Sequence, residues 1–86
     1  MSYVTEVANL FLSRCRRVKI LSPMDYAIIA EWEKEEIPLA VVFESLNTVF
    51  DNLQQNIELV NIESIRHFQN EVKKNFANWL HSSKNV

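Results

Sequence analysis

Apolar residues recur along this chain at steps of three and four, the spacing of helices that bury one face. Val4, Ala8, Phe11, Cys15 and Val18 form the first stripe, widened by Val7, Leu10 and Leu12, with Tyr3 adding an aromatic. The pattern predicts a helix over about residues 3–17. Arg14, Arg16 and Arg17 fall in its last turn, where cations complement the helix dipole. The stripe carries more apolar surface than one neighbour needs. Either the bundle covers two sides of this helix or the surplus is a dimer face.

Ser22-Pro23 starts a second helix, with Ser22 as N-cap, Pro23 at the first helical position and Asp25 at capping-box spacing. Met24, Ile28, Ile29 and Trp32 make its apolar face. Ile37 precedes Pro38 and is biased away from helical geometry, so this helix spans about residues 23–35. A third helix starts at Pro38 and runs to about residue 54, with Leu39, Val42, Phe43, Leu46, Val49, Phe50 and Leu53 on a stripe wide enough for two neighbours. A loop from Gln54 to Asn61 tucks Ile57, Leu59 and Val60 against the core. Asn61 then caps a last helix over about residues 62–80, with Glu63 in its first turn and Ile65, Phe68, Val72, Phe76 and Trp79 on one face. The tail, residues 81–86, is expected to fray. The pattern describes an all-α, compact single-domain bundle of about four helices, with the second and third as an antiparallel central pair.

At 86 residues there is room for one core, and 48% hydrophobic composition is that of a folded chain. No apolar run approaches the ~18 residues of a membrane span, and the first residues lack a basic segment ahead of an apolar one, so no secretory signal is expected. With Cys15 alone, no internal disulfide forms, as suits a cytoplasmic protein. Glycine is absent, which excludes the standard phosphate-cradling loops and the EF-hand loop.

Net charge is −2, unevenly spread: residues 1–22 carry +3, residues 23–63 carry −8 and residues 64–86 carry +3. Attraction between the basic ends and the acidic middle therefore competes with any basic binding face. The candidate contacts for nucleic acid or an acidic partner are Arg14, Arg16, Arg17 and Lys19, extended by Arg66, Lys73 and Lys74 if the first and last helices lie side by side. A pI of about 5.6 weighs against DNA. Glu31, Glu33, Glu35 and Glu36 form an acidic cluster at the end of the second helix, a solvated face or a contact for a basic partner.

No catalytic set assembles. His67 and His81 stand fourteen residues apart on one expected helix, about 21 Å along its axis, too far to share a metal. Cys15 lies on an apolar stripe, where a buried structural thiol is expected rather than a nucleophile paired with His67. No cofactor, metal, membrane or small-molecule site is expected. Tyr26, Trp32 and Trp79 are the aromatics able to make contacts, with core or rim packing the expected role of both tryptophans.

The segment Leu21-Ser22-Pro23-x-Asp25-x-x-x-Ile29-x-x-Trp32, followed by Ile37-Pro38-Leu39-x-x-Val42, resembles the helical repeat of DnaD-type primosomal domains. Phe76-Ala77-Asn78-Trp79-Leu80 is similar to the end of that domain, and Asn61 to Phe68 to the segment leading into its last helix. Glu35-Glu36 stands where such sequences often carry a glycine or small residue. The layout equally resembles small uncharacterised bacterial helical proteins for which no activity is implied. The DnaD resemblance implies DNA binding, partner binding and self-association in replication initiation. The residues themselves point to a non-enzymatic, cytoplasmic bacterial or phage interaction module that binds a protein partner or itself.

Overall fold

Each helix begins at a residue able to take up the unpaired N–H groups of a first turn. Ser2 does so for α1 (Tyr3–Arg14), its hydroxyl accepting from the Thr5 N–H at 3.1 Å. Ser22 opens α2 (Pro23–Lys34) with a complete capping box. The Pro38 carbonyl accepts from Val41 and Val42 N–H at 3.0 and 3.2 Å and starts α3 (Leu39–Gln54). Ser64 caps a 3₁₀ turn (Ile65–Phe68) that continues directly into α4 (Gln69–Lys84). These elements come from a computed structural model that describes residues 2–15, 17–54, 62 and 64–84.

The all-α bundle expected from the sequence is the fold. α1 packs on both α2 and α3, α4 packs most extensively on α3, and the 3₁₀ turn touches α2, α3 and α4. α2 and α3, expected to form the antiparallel central pair, join at the Ile37–Pro38 corner; α2 packs on α1 and the turn, and α3 on α1, α4 and the turn. The apolar surplus of α1 resolves the same way. Val7 and Phe11 are fully enclosed, and Tyr3, Val4, Leu10 and Leu12 lie partly buried against the core, so the bundle covers this helix on two sides.

Three phenylalanines knit the elements together. Phe11 of α1, Phe50 of α3 and Phe68 of the turn have ring centroids 5.1–6.0 Å apart, the Phe11–Phe68 pair edge to face. Such pairs contribute about 0.5–1.5 kcal/mol beyond their burial. Trp32 and Ile29 seal the α2 side. Between α3 and α4 the close approach rests on Ser45, whose small buried side chain donates to the Val41 carbonyl and accepts from Asn75 Nδ2 at 2.9 Å.

α2 ends in a Schellman arrangement. The Ile37 N–H donates to the Trp32 carbonyl and the Glu36 N–H to the Glu33 carbonyl, both at 3.0 Å. The apolar contact that accompanies this motif falls on Ile37 and Trp32, both buried. Glu36 supplies the left-handed residue, with φ of 61°. Glycine is the usual occupant, and a residue with a Cβ costs roughly 1–2 kcal/mol there.

Several expectations are corrected. α1 stops at Arg14 rather than residue 17, because Cys15 turns extended (φ −94°, ψ 106°) and its thiol reaches the Ile62 carbonyl. Pro38 caps α3 and is not its first helical residue. Ile62 lies outside any helix, and the last helical segment starts as the Ser64-capped 3₁₀ turn instead of at residue 62. α4 runs on to Lys84 where a frayed tail was expected from residue 81. Met24, expected on the apolar face, is 64% exposed. Asn61, Glu63 and the apolar residues Ile57, Leu59 and Val60 lie outside the described residues.

Candidate functional site

Arg14 and Lys74 make ion pairs within the fold. Arg14, three-quarters sheltered at the end of α1, donates through Nη1 to Asn47 Oδ1 at 3.0 Å and pairs through Nη2 with Asp51 at 2.9 Å. Its guanidinium also lies 5.3 Å from the Phe50 ring centroid. This is one case of the attraction between the basic N-terminal segment and the acidic middle. Lys74 pairs with Glu71 one turn earlier on α4, at 3.1 Å. Arg17, Lys19, Arg66 and Lys73 are exposed, and Arg16 lies outside the described residues. α1 and α4 are not among the extensively packed helix pairs, so helix packing does not set Arg14 alongside Lys73 and Lys74.

Glu31, Glu33, Glu35 and Glu36 are all exposed around the α2 C-terminus. Their charge reaches Tyr3, whose hydroxyl donates to the Ile37 carbonyl at 2.8 Å and so ties α1 to this corner. The Tyr3 phenol is pushed up to about 12, first by burial and then by Glu33 and Glu35, which disfavour a phenolate nearby.

Asp25 is a buried carboxylate. Oδ2 accepts from the Ser22 N–H and hydroxyl, both at 3.0 Å; Oδ1 accepts from the Ser64 hydroxyl at 2.6 Å and the Ile65 N–H at 3.0 Å. Burial pushes this carboxyl upward. The hydrogen bonds from Ser64, Ser22 and Ile65 outweigh burial and hold it below the ordinary carboxylate value. All four bonds join parts of the fold, so this carboxylate organises two helix starts and is engaged on both oxygens. Cys15 is buried, and its contact is a backbone carbonyl. His67 sits on the 3₁₀ turn and His81 near the end of α4, both exposed. Among the described residues no three His, Cys, Asp or Glu side chains come together as a metal-ligand group, and no helix is long and apolar enough to cross a membrane.

The fold also leaves large apolar side chains outward. Ile20 and Met24 are 81% and 64% exposed at the entry to α2, with Tyr26 close by in sequence. On α4, Trp79 and Leu80 are 44% and 40% exposed, although the heptad-like spacing put Trp79 on a core-facing stripe. Trp79 stacks on Phe76, with centroids 6.1 Å apart and planes 21° apart. Beside it an open cleft of about 240 Å³ lies between Val41 and Glu44 of α3 and Asn75, Asn78 and Ser82 of α4. Periodicity did not reveal this exposure.

Fold and surface together define a small all-α bundle whose buried polar side chains are engaged in its own structure. Compared with known families, characterised proteins and solved structures, the chain finds no match.

Proposed function

We propose that this chain is a non-enzymatic interaction module that binds a protein through exposed apolar side chains, in the cytoplasm of a bacterium or of a phage-infected cell. The observation that carries the reading is the exposure of Ile20, Met24, Trp79 and Leu80 on a bundle whose core is otherwise well closed. Burying such side chains against a partner is favourable by roughly 25 cal/mol per Å² of apolar surface, and aromatic anchors dominate interfaces of this kind. The test is recovery of a bound protein on the wild-type chain against a folded variant with Ile20, Met24, Trp79 and Leu80 changed to serine. A protein held in stoichiometric amount by the first and lost by the second supports the reading; equal recovery on both contradicts it.

The second reading is a DnaD-like DNA-binding or replication-initiation accessory domain. The exposure of Arg17, Lys19, Arg66 and Lys73 favours it. Part of the resemblance rests on Ser22, Pro23, Asp25, Trp32, Ile37 and Pro38, each with a structural task as a cap, a corner or a core residue, and part on the segment Phe76–Leu80, where Trp79 and Leu80 are exposed. DNA binding of this type weakens steeply with salt, by about one unit of log–log slope per phosphate contact. A titration at low and physiological salt separates it from the first reading.

A further inference from the structure

We infer that the cleft between α3 and the C-terminal half of α4 receives an arginine side chain of a partner protein. The inference rests on the interaction-module reading and names the chemistry that the partner brings to Trp79.

The cleft has one charged residue in its lining, Glu44, beside Val41, Asn75, Asn78, Trp79 and Ser82. The Glu44 carboxylate makes no ion pair among the described residues. Asp51, the other acid of α3, is taken by Arg14, and α3 carries no Lys or Arg. On α4 no Lys or Arg falls between Asn75 and Ser82, and Lys74 is paired with Glu71. At 3.6 residues per turn, Lys73 lies roughly opposite the face that Asn75, Asn78 and Ser82 share. The cleft thus holds a carboxylate without a cation of its own.

That charge selects the occupant. A wholly apolar partner laid over the cleft would strip water from Glu44 and leave it unpaired, which is costly. A phosphate or a carboxylate would be repelled. A cation removes the cost.

The rest of the lining fits a cation with several N–H donors. The Ser45 hydroxyl donates to the Val41 carbonyl at 2.7 Å, so toward Asn75 it accepts, at 2.9 Å. Nδ2 of Asn75 therefore faces Ser45, and Oδ1 is the acceptor that Asn75 has left to offer. The Phe76 stack holds the Trp79 indole, with little freedom left to lose on binding. Indole is the best aromatic partner for a cation. A guanidinium can stack on such a ring and still donate in its plane to a carboxylate and an amide oxygen, which a hydrated ammonium does less well. The methylene stem of arginine suits the apolar surface of Val41.

The approach is favourable too. Glu31, Glu33, Glu35 and Glu36 are exposed on the segment leading into α3, at the end of α3 that carries Val41 and Glu44. Their potential draws a basic segment toward this end of the bundle.

The experiment is an NMR titration of the isotope-labelled full chain, followed at the Trp79 indole N–H. The probes are a blocked peptide with arginine between two alanines and the same peptide with norleucine in its place. Circular dichroism confirms that each variant keeps its helices. The expected result is a saturable shift with the arginine peptide and at least fivefold weaker binding of the norleucine peptide. Glu44→Gln should weaken the arginine peptide at least fivefold, and Met24→Ser should leave it unchanged. Norleucine bound as tightly as arginine overturns the inference, as does wild-type binding by Glu44→Gln. No saturable shift with arginine also overturns it. If that chain still holds a protein through Ile20, Met24, Trp79 and Leu80, the interaction module stands without this site. An arginine response in a chain whose protein recovery ignores those four side chains supports the site and removes the apolar reading.

Discussion

The Ser64 hydroxyl donates to Asp25 Oδ1 at 2.6 Å, joining the N-cap of the 3₁₀ turn to the capping box of α2 across 39 residues of chain. One carboxylate thereby serves two helix starts. The Ser64 and Ile65 bonds to Asp25 therefore couple the turn to α2.

Asp25→Ala should cost roughly 2–4 kcal/mol, combining a lost N-cap partner with a buried Ile65 N–H left unpaired. Urea unfolding measures it. The pH dependence carries the sign of a depressed carboxyl. The contribution is present above the ordinary value of 3.8 and is lost as pH falls through the lower folded-state value. Wild type should therefore lose its advantage over Asp25→Asn in acid, and a constant difference from neutrality down through that range would contradict the assignment.

Tyr3→Phe should destabilise by about 1 kcal/mol at neutral pH, the net worth of one hydrogen bond. Tyr3 titrates at about 12 in the folded state against an ordinary value of 10.0. Its contribution is therefore complete below 10 and declines as pH rises through the folded-state value. Thermal unfolding from pH 8 upward should show wild type approaching Tyr3→Phe at the alkaline end.

Glu36→Gly should stabilise the fold by about 0.5–1 kcal/mol, since relief of the left-handed strain exceeds the extra chain entropy of glycine. Trp32→Ala should cost roughly 3–5 kcal/mol by opening a cavity under the same corner. Chemical denaturation of the two variants reads both. A destabilised Glu36→Gly would show that the Glu36 side chain makes a compensating contribution.

Cys15 should resist thiol reagents in the native protein and react fully in denaturant, because its sulfur is enclosed and its neighbour is the Ile62 carbonyl. Rapid labelling under native conditions would place the thiol outside the core.

Local signals were legible and distant ones were not. The Ser22-Pro23-Asp25 start of α2 could be read because all its parts lie within one turn. The same Asp25 also binds Ser64 and Ile65, and nothing in local spacing announces a partner some forty residues away. Cys15 looked helical by its stripe, yet its burial against Ile62 pulls the backbone extended and ends α1 early. Trp79 fits the apolar period of α4, but period gives a face and not the neighbour that covers it. The basic residues show the same limit. Their clustering in sequence was plain, while the engagement of Arg14 with Asp51 and Asn47 depends on α1 lying against α3.

The most direct measurement is the solution mass of the full chain from micromolar to millimolar concentration, at low and at physiological salt, without and then with a DNA duplex. Binding through exposed apolar side chains predicts that the duplex is left unbound at either salt concentration. Duplex carried at low salt and released at physiological salt would contradict it and move the function to the basic residues.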